Sequence, residues 1–184
     1  MDIKNITPEE ALDIRHQVLW PNKPKEFCKL EDDYKGIHYG GFLNGKLVCV
    51  ASIFIENNSA RLRKFATLTE FQGKGYGTLL IKHIISDLKG TNATGLKPVV
   101  TPGTNATGLK PVVTPGTNAT GLKPVVTPGT NATGLKPVVT HLWCDARITA
   151  KDFYNRFKMS STGETFFKSD VEYIVMERKI KSSL

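Results

Sequence analysis

The chain has 184 residues, 40% of them apolar and 23% charged, with a net charge of +8, a composition suited to a folded domain and not to a fibrous or disordered chain. No apolar run approaches the roughly 18 residues that span a bilayer. The opening MDIKNITPEEALDI has an acid at position 2 and no long apolar stretch, so neither membrane insertion nor secretion is expected, and a cytoplasmic location is.

In chain order, Thr7-Pro8-Glu9-Glu10 is a helix opening, with a threonine cap, proline in the first turn and glutamate three residues after the cap. Ala11, Ile14, Val18 and Leu19 follow at helical spacing, and Trp20-Pro21 ends the run. The acidic stretch Glu31-Asp32-Asp33 reads as a solvated turn. Next come IHYGGFL and KLVCVASIFI around Asn44-Gly45, the strongest short hairpin signal, and a second turn at Asn57-Asn58-Ser59 leads into ARLRKFATL. These three strands are expected to form an antiparallel meander. TEFQGKGYGTLLIKHIISDL then reads as a glycine turn opening a helix, with Leu80, Ile81, Ile84, Ile85 and Leu88 on one face.

From Gly90 the unit GTNATGLKPVVTP repeats, in four near-perfect copies over 90–140. A stacking solenoid unit spans about 20 to 50 residues and carries an apolar face. This one has 13 residues, no aromatic residue and two prolines, which remove backbone donors from any would-be sheet. It is expected to be a loosely ordered insertion, natural or engineered, between the helix and the next strand of a single domain spanning 1–184. Without three of its copies about 145 residues remain, an ordinary size for one domain. Deleting 90–128 is therefore expected to leave a folding protein, stabilised by about 1 kcal/mol through its shorter loop. Chemical denaturation of the two lengths checks this, and a large loss of stability contradicts it.

Beyond the repeat, HLWCDA reads as a buried strand, TAKDFYNRF as a short helix, and ETFFKS with VEYIVMERKI as a closing strand pair. Cys28, Cys49 and Cys144 are odd in number and widely spaced, so buried free thiols are expected and neither disulfides nor a metal site. The Asn-Ala-Thr acceptor pattern at Asn92, Asn105, Asn118 and Asn131 has no meaning without a secretion route. Lys97, Lys110, Lys123 and Lys136 of the repeat supply half of the net charge. The remainder suits an anionic small ligand, and no aromatic-basic cluster that stacks bases is present, so nucleic-acid binding is not expected.

A strand running into a glycine-rich turn and a helix presents free backbone N–H groups and the positive end of the helix dipole at one point, a place for phosphate or pyrophosphate. FQGKGYGT does not fit the Walker pattern, because Lys74 is followed by glycine. It does not fit the dinucleotide fingerprint either, because Thr78 stands where the third glycine belongs. It resembles the Gln/Arg-x-x-Gly-x-Gly/Ala loop of the GNAT acetyltransferase superfamily, and Ala150, Phe153 and Tyr154 are similar to the family's later A..FY pattern. The element order also resembles that family, over everything except the repeat.

The resemblance implies an α+β fold, a mixed and mostly antiparallel central sheet flanked by helices, and transfer of acetyl from acetyl-CoA to an amine by direct attack. It implies that Gln72, Gly73, Lys74, Gly75, Tyr76, Gly77 and Thr78 hold the pyrophosphate. It further implies that the strand carrying Phe65, Ala66 and Thr67 splays from the next one, around 143–146, to admit the pantetheine arm. Tyr154 is the implied general acid for the departing thiolate, against the alternative of a core tyrosine beside Phe153. Asp145, Glu70, His141, Glu172 and a chain of waters stay open as the base. After FYNRF the family continues Gly-Phe, where this chain has Lys158-Met159, so the acceptor side differs. The acceptor would be a small-molecule or peptide amine, monomer and homodimer both stay open, and a CoA-binding module without turnover is the alternative.

Overall fold

The computed structural model of the chain describes residues 1–90 and 138–181. The repeat, and with it the expectation of a loosely ordered insertion, lies outside the described residues over 91–137.

Helix α1 (Pro8–Leu19) starts as its sequence dictates. The Glu10 N–H donates to Thr7 Oγ1 at 3.2 Å and the Thr7 N–H donates to the Glu10 carboxylate at 2.7 Å, closing a capping box. The meander forms as β2 (Ile37–Leu43), β3 (Lys46–Glu56) and β4 (Ser59–Thr67). Its turns are tight because Asn44 and Gly45, at φ 50° and 80°, and Asn57 and Asn58, at 47° and 65°, take the left-handed conformation a type I′ hairpin requires. One strand was not anticipated: β1 (Asp2–Ile6) pairs antiparallel with β2, Ile3 opposite Gly41. DIKNI carries no alternation of its own, and the unpaired edge of β2 imposes the strand.

Helix α2 (Tyr76–Gly90), strand β5 (His141–Arg147), helix α3 (Lys151–Asn155) and the hairpin of β6 (Ser160–Lys168) and β7 (Val171–Lys179) complete the described elements. The sheet order is β1-β2-β3-β4-β5-β7-β6, antiparallel throughout except for β4 beside β5. The five predicted apolar residues of α2 are buried on one face of the sheet, against Leu142, Cys144, Ala146 and Met176. On the other face, Ala11 and Ile14 of α1 pack on Val50, Ala66 and Leu68. This is the mixed α+β architecture the sequence implied. Cys28, Cys49 and Cys144 are free and buried. Among the described residues, no helix is long and apolar enough to cross a membrane.

The acidic stretch is not the solvated turn its composition suggests. Asp33 is buried, and Arg15, fully buried on α1, donates to both of its oxygens at 2.7 and 3.0 Å and to Ser52 Oγ at 2.8 Å. His38 Nε2 lies 2.8 Å from the Asp33 carbonyl, which only accepts, so that nitrogen carries the proton and Nδ1 faces Arg15 as an acceptor at 3.1 Å. Burial alone would raise the Asp33 carboxyl, but hydrogen bonds from Arg15 and the Leu30 N–H hold it below its ordinary value. Burial, with Arg15 adding to it, pushes His38 below 6.5.

Both folded values are depressed, so both contributions are present above the unfolded values and are lost as pH falls. Stability is expected to decline first below 6.5, through His38, and again below 3.8, through Asp33. Denaturation midpoints from pH 7.5 to 3.5 check this, and midpoints that stay flat down to about pH 4 contradict the His38 component.

Candidate active site

The cleft exists because two parallel neighbours part. β4 and β5 pair from Ser59 opposite His141 to Leu62 opposite Cys144, and no further. Just past that point β4 bulges: its register against β3 passes from Arg63 opposite Ser52 to Ala66 opposite Val50, so that Lys64 and Phe65 share one partner residue. Lys64 sits at φ 51°, the left-handed value that lets the extra residue fit. β4 turns away there, while β5 stays with β7 as far as Arg147 opposite Tyr173. The resulting wedge opens at Asp145, not across 143–146, because Trp143 and Cys144 are still paired. It leads into a cleft of about 740 Å³ that reaches from α1 to the glycine turn and α3.

At the turn, Gly73 and Gly75 have φ of 72° and 86°, and a Cβ at either would meet nothing within 4 Å. The backbone conformation demands glycine, and the space above stays open for a ligand. The first N–H groups of α2 have no partner within the helix and end at this turn. Gly77 is needed for a different reason: a Cβ there would lie 3.1 Å from the Phe65 ring, so the helix start packs directly on β4. Gln72 ties the turn back to β4 by donating to the Thr67 carbonyl at 2.9 Å. Phe65, Ala66, Thr67, Gln72, Gly73, Gly75, Tyr76, Gly77 and Thr78 all line the cleft. Lys74 does not; its ammonium lies over the Phe71 ring, 5.6 Å from the centroid.

Tyr154 stands where the wedge meets α3. Phe153 meets it edge-on at 5.2 Å and stacks on Phe65 at 5.6 Å, so the ring is clamped between β4 and its own helix. It is 6% exposed yet lines the cleft, and so serves the core as well. Burial, and then the neighbouring Cys144, raise the phenol well above 10, which keeps it protonated at neutral pH. Burial in turn pushes the Cys144 thiol up to about 12.

Of the four side chains left open as a base, only Asp145 lines the cleft. It is held by Arg61 and Lys168, both at 2.7 Å. Burial would raise its carboxyl, but those two hydrogen bonds outweigh burial and lower it. A carboxylate so engaged is a weak proton acceptor. His141 pairs with Glu177 at 3.1 Å, and Glu70 is solvent-facing beside Lys46 at 3.4 Å. The departure at 158–159 also finds its place: Lys158 takes the left-handed turn at φ 58°, the usual role of glycine after a helix, and Met159 fills the core.

Sequence reading missed Lys64, Arg147, Lys168 and the aromatic pair Trp20 and Phe27, all of which line the cleft. One trace of the bulge was readable. Leu62 and Phe65 both pack toward α2 and α3 although three positions apart, which breaks the period of two.

The structure is similar to the ribosomal-protein-S18-alanine N-acetyltransferase of Escherichia coli, with a TM-score of 0.62 and 14% identity over 99% of this chain and 95% of that one. It is also similar to a GNAT family acetyltransferase of Elizabethkingia anophelis solved with acetyl-CoA bound, with a TM-score of 0.55 and 13% identity over 97% of each chain. These likenesses concern the fold. Over 45% of its length the chain is 34% identical to the uncharacterized N-acetyltransferase YitI of Bacillus subtilis (strain 168), spanning 62% of that relative. The Acetyltransferase (GNAT) family pattern matches residues 5–108, more than half of the sequence, across the α1 cap, the meander, the bulge and the glycine turn. The chain belongs to the GNAT family of acetyltransferases.

Proposed function

We propose that the protein is an N-acetyltransferase that moves the acetyl group of acetyl-CoA to an amine. Bound acetyl-CoA supplies an activated thioester, which the amine attacks directly. The residues present fit such a ligand: an open turn of positive-φ glycines suits a pyrophosphate, and strand edges that part suit a chain with amide groups. In this reading the turn at 72–78 holds the pyrophosphate through backbone N–H groups, and Lys74, close by in sequence, adds long-range positive charge. The β4 edge at Phe65, Ala66 and Thr67 orients the arm and offers an N–H to stabilise the developing oxyanion. Tyr154 keeps its proton until the thiolate departs and then donates it, while the proton lost by the attacking nitrogen passes to water. The observation that carries the reading is the wedge of β4 and β5 opening beside the glycine turn. A screen of amines following free-thiol release from acetyl-CoA tests it; absence of amine-dependent release across primary amines, amino acids and peptides would sink it.

Gly75→Glu is expected to weaken acetyl-CoA binding by about tenfold or more, since it sets negative charge and bulk where the pyrophosphate sits. Gly75→Gln shares the cost of a Cβ at φ 86° and nearly the same bulk without the charge, so the gap between the two variants isolates the electrostatics. Equal affinities by calorimetry would remove the turn from the site.

A further inference from the structure

The two faces of the wedge differ in charge. Leu142, Cys144 and Ala146 point toward α2, so Trp143, Asp145 and Arg147 point the other way, toward α1. On that side the cleft is lined by Arg61, Arg63, Lys64, Arg147 and Lys168, against one lining carboxylate, Asp145. Asp145 is shared by Arg61 and Lys168, and Arg63 takes Asp32 at 3.2 Å. Lys64 and Arg147 have no acidic partner among the described residues. Arg147 is aimed by the Leu19 carbonyl, to which it donates at 2.9 Å, and lies 6.0 Å from the centre of the Trp20 ring. Lys64 is half-buried on the bulge; Arg15 and Arg63 are its cationic neighbours, and Asp33, the acid near enough to favour its charge, is already held by Arg15.

Two partly desolvated cations without an ion-pair partner of their own, in a cleft already rich in cations, are an unfavourable arrangement that an anion would relieve. We propose that the acceptor is an amine that also carries an oxyanion, a carboxylate or a phosphate, which Lys64 and Arg147 bind. This rests on the acetyl-transfer reading. It accounts for how an amine enters a cationic cleft, since the anion offsets the repulsion of the ammonium. The surrounding positive charge then favours the neutral amine, the form that attacks. Trp20 and Phe27, in edge contact at 5.3 Å at the same mouth, suit an apolar body on that acceptor.

The test titrates CoA-saturated protein calorimetrically with phenylalanine against phenylalaninamide, and with O-phosphoethanolamine against ethanolamine; spermidine is the polycationic control. The acid of at least one pair is expected to bind about tenfold tighter than its neutral partner, and spermidine not at all. The pair that discriminates tells carboxylate from phosphate. Arg147→Gln and Lys64→Gln are each expected to cut that preference to about threefold or less, with CoA affinity as the control for an intact fold. Neutral amines binding as well as acids in both pairs, spermidine binding best, no probe binding at about 10 mM while CoA binds, or both variants keeping the preference would overturn the proposal. Failure of CoA itself to bind would instead overturn the acetyl-transfer reading on which it stands.

Discussion

Tyr154→Phe is expected to lower turnover by roughly 10²-fold or more while acetyl-CoA affinity holds and stability falls by no more than about 1 kcal/mol, since only the hydroxyl and its hydrogen bond with Cys144 are removed. That loss corresponds to about 2.7 kcal/mol of transition-state stabilisation. The ring itself remains clamped by Phe65 and Phe153, so the packing of the core should not register the change. The phenol is held protonated well above 10, so wild-type activity should show no alkaline limb from this group as pH rises through the ordinary tyrosine range. Steady-state kinetics at saturating substrate, with single-turnover measurements confirming that chemistry limits the rate, decide the matter. Turnover within about twofold of the parent would return Tyr154 to a purely structural role.

Arg15→Met is expected to cost about 3–5 kcal/mol, a large share of the roughly 5–15 kcal/mol that holds a domain of this size. The substituted side chain fills similar space, but Asp33 is left buried without the guanidinium that donates to both of its oxygens. Ser52 and the Nδ1 of His38 lose the same partner. Replacing both members, as Arg15→Met with Asp33→Leu, should recover much of the loss, because no unpaired charge then remains. The single variant's deficit should also shrink as pH falls and Asp33 takes up a proton. Chemical denaturation of the parent, both singles and the double variant measures the coupling. A double variant as unstable as the two single losses added together would show that the pair is not a unit.

These two residues mark the boundary of what the sequence makes legible. The Thr7 cap, the Asn44-Gly45 hairpin and the glycine turn could be read because each depends on chemistry within a few residues of chain, whereas Tyr154 was singled out only through the family resemblance. Asp33 could not: its partner lies 18 positions away on a helix, and nothing in Glu31-Asp32-Asp33 distinguishes the buried acid from its more accessible neighbours. Arg147 reaches back 128 positions to Leu19, and Asp145 pairs with Arg61 across 84, so the charge pattern of the α1 side of the cleft exists only once the sheet has formed. Strand β1 was missed for a related reason, since the edge of β2 decides its conformation. The bulge at Lys64 is intermediate. Its trace lay in the broken alternation between Leu62 and Phe65, but a single irregular step in a strand-like run is also what a loose edge strand presents.

The most direct measurement is an amide-resolved NMR titration of the protein with acetyl-CoA. The largest shifts are expected at Gly73, Gly75, Gly77 and Thr78 on the turn and at Ala66, Thr67 and Ala146 along the wedge, with the distant β1–β2 edge unmoved. Saturable binding whose shifts cluster away from both the turn and the wedge, or no saturable binding at all, would contradict the account.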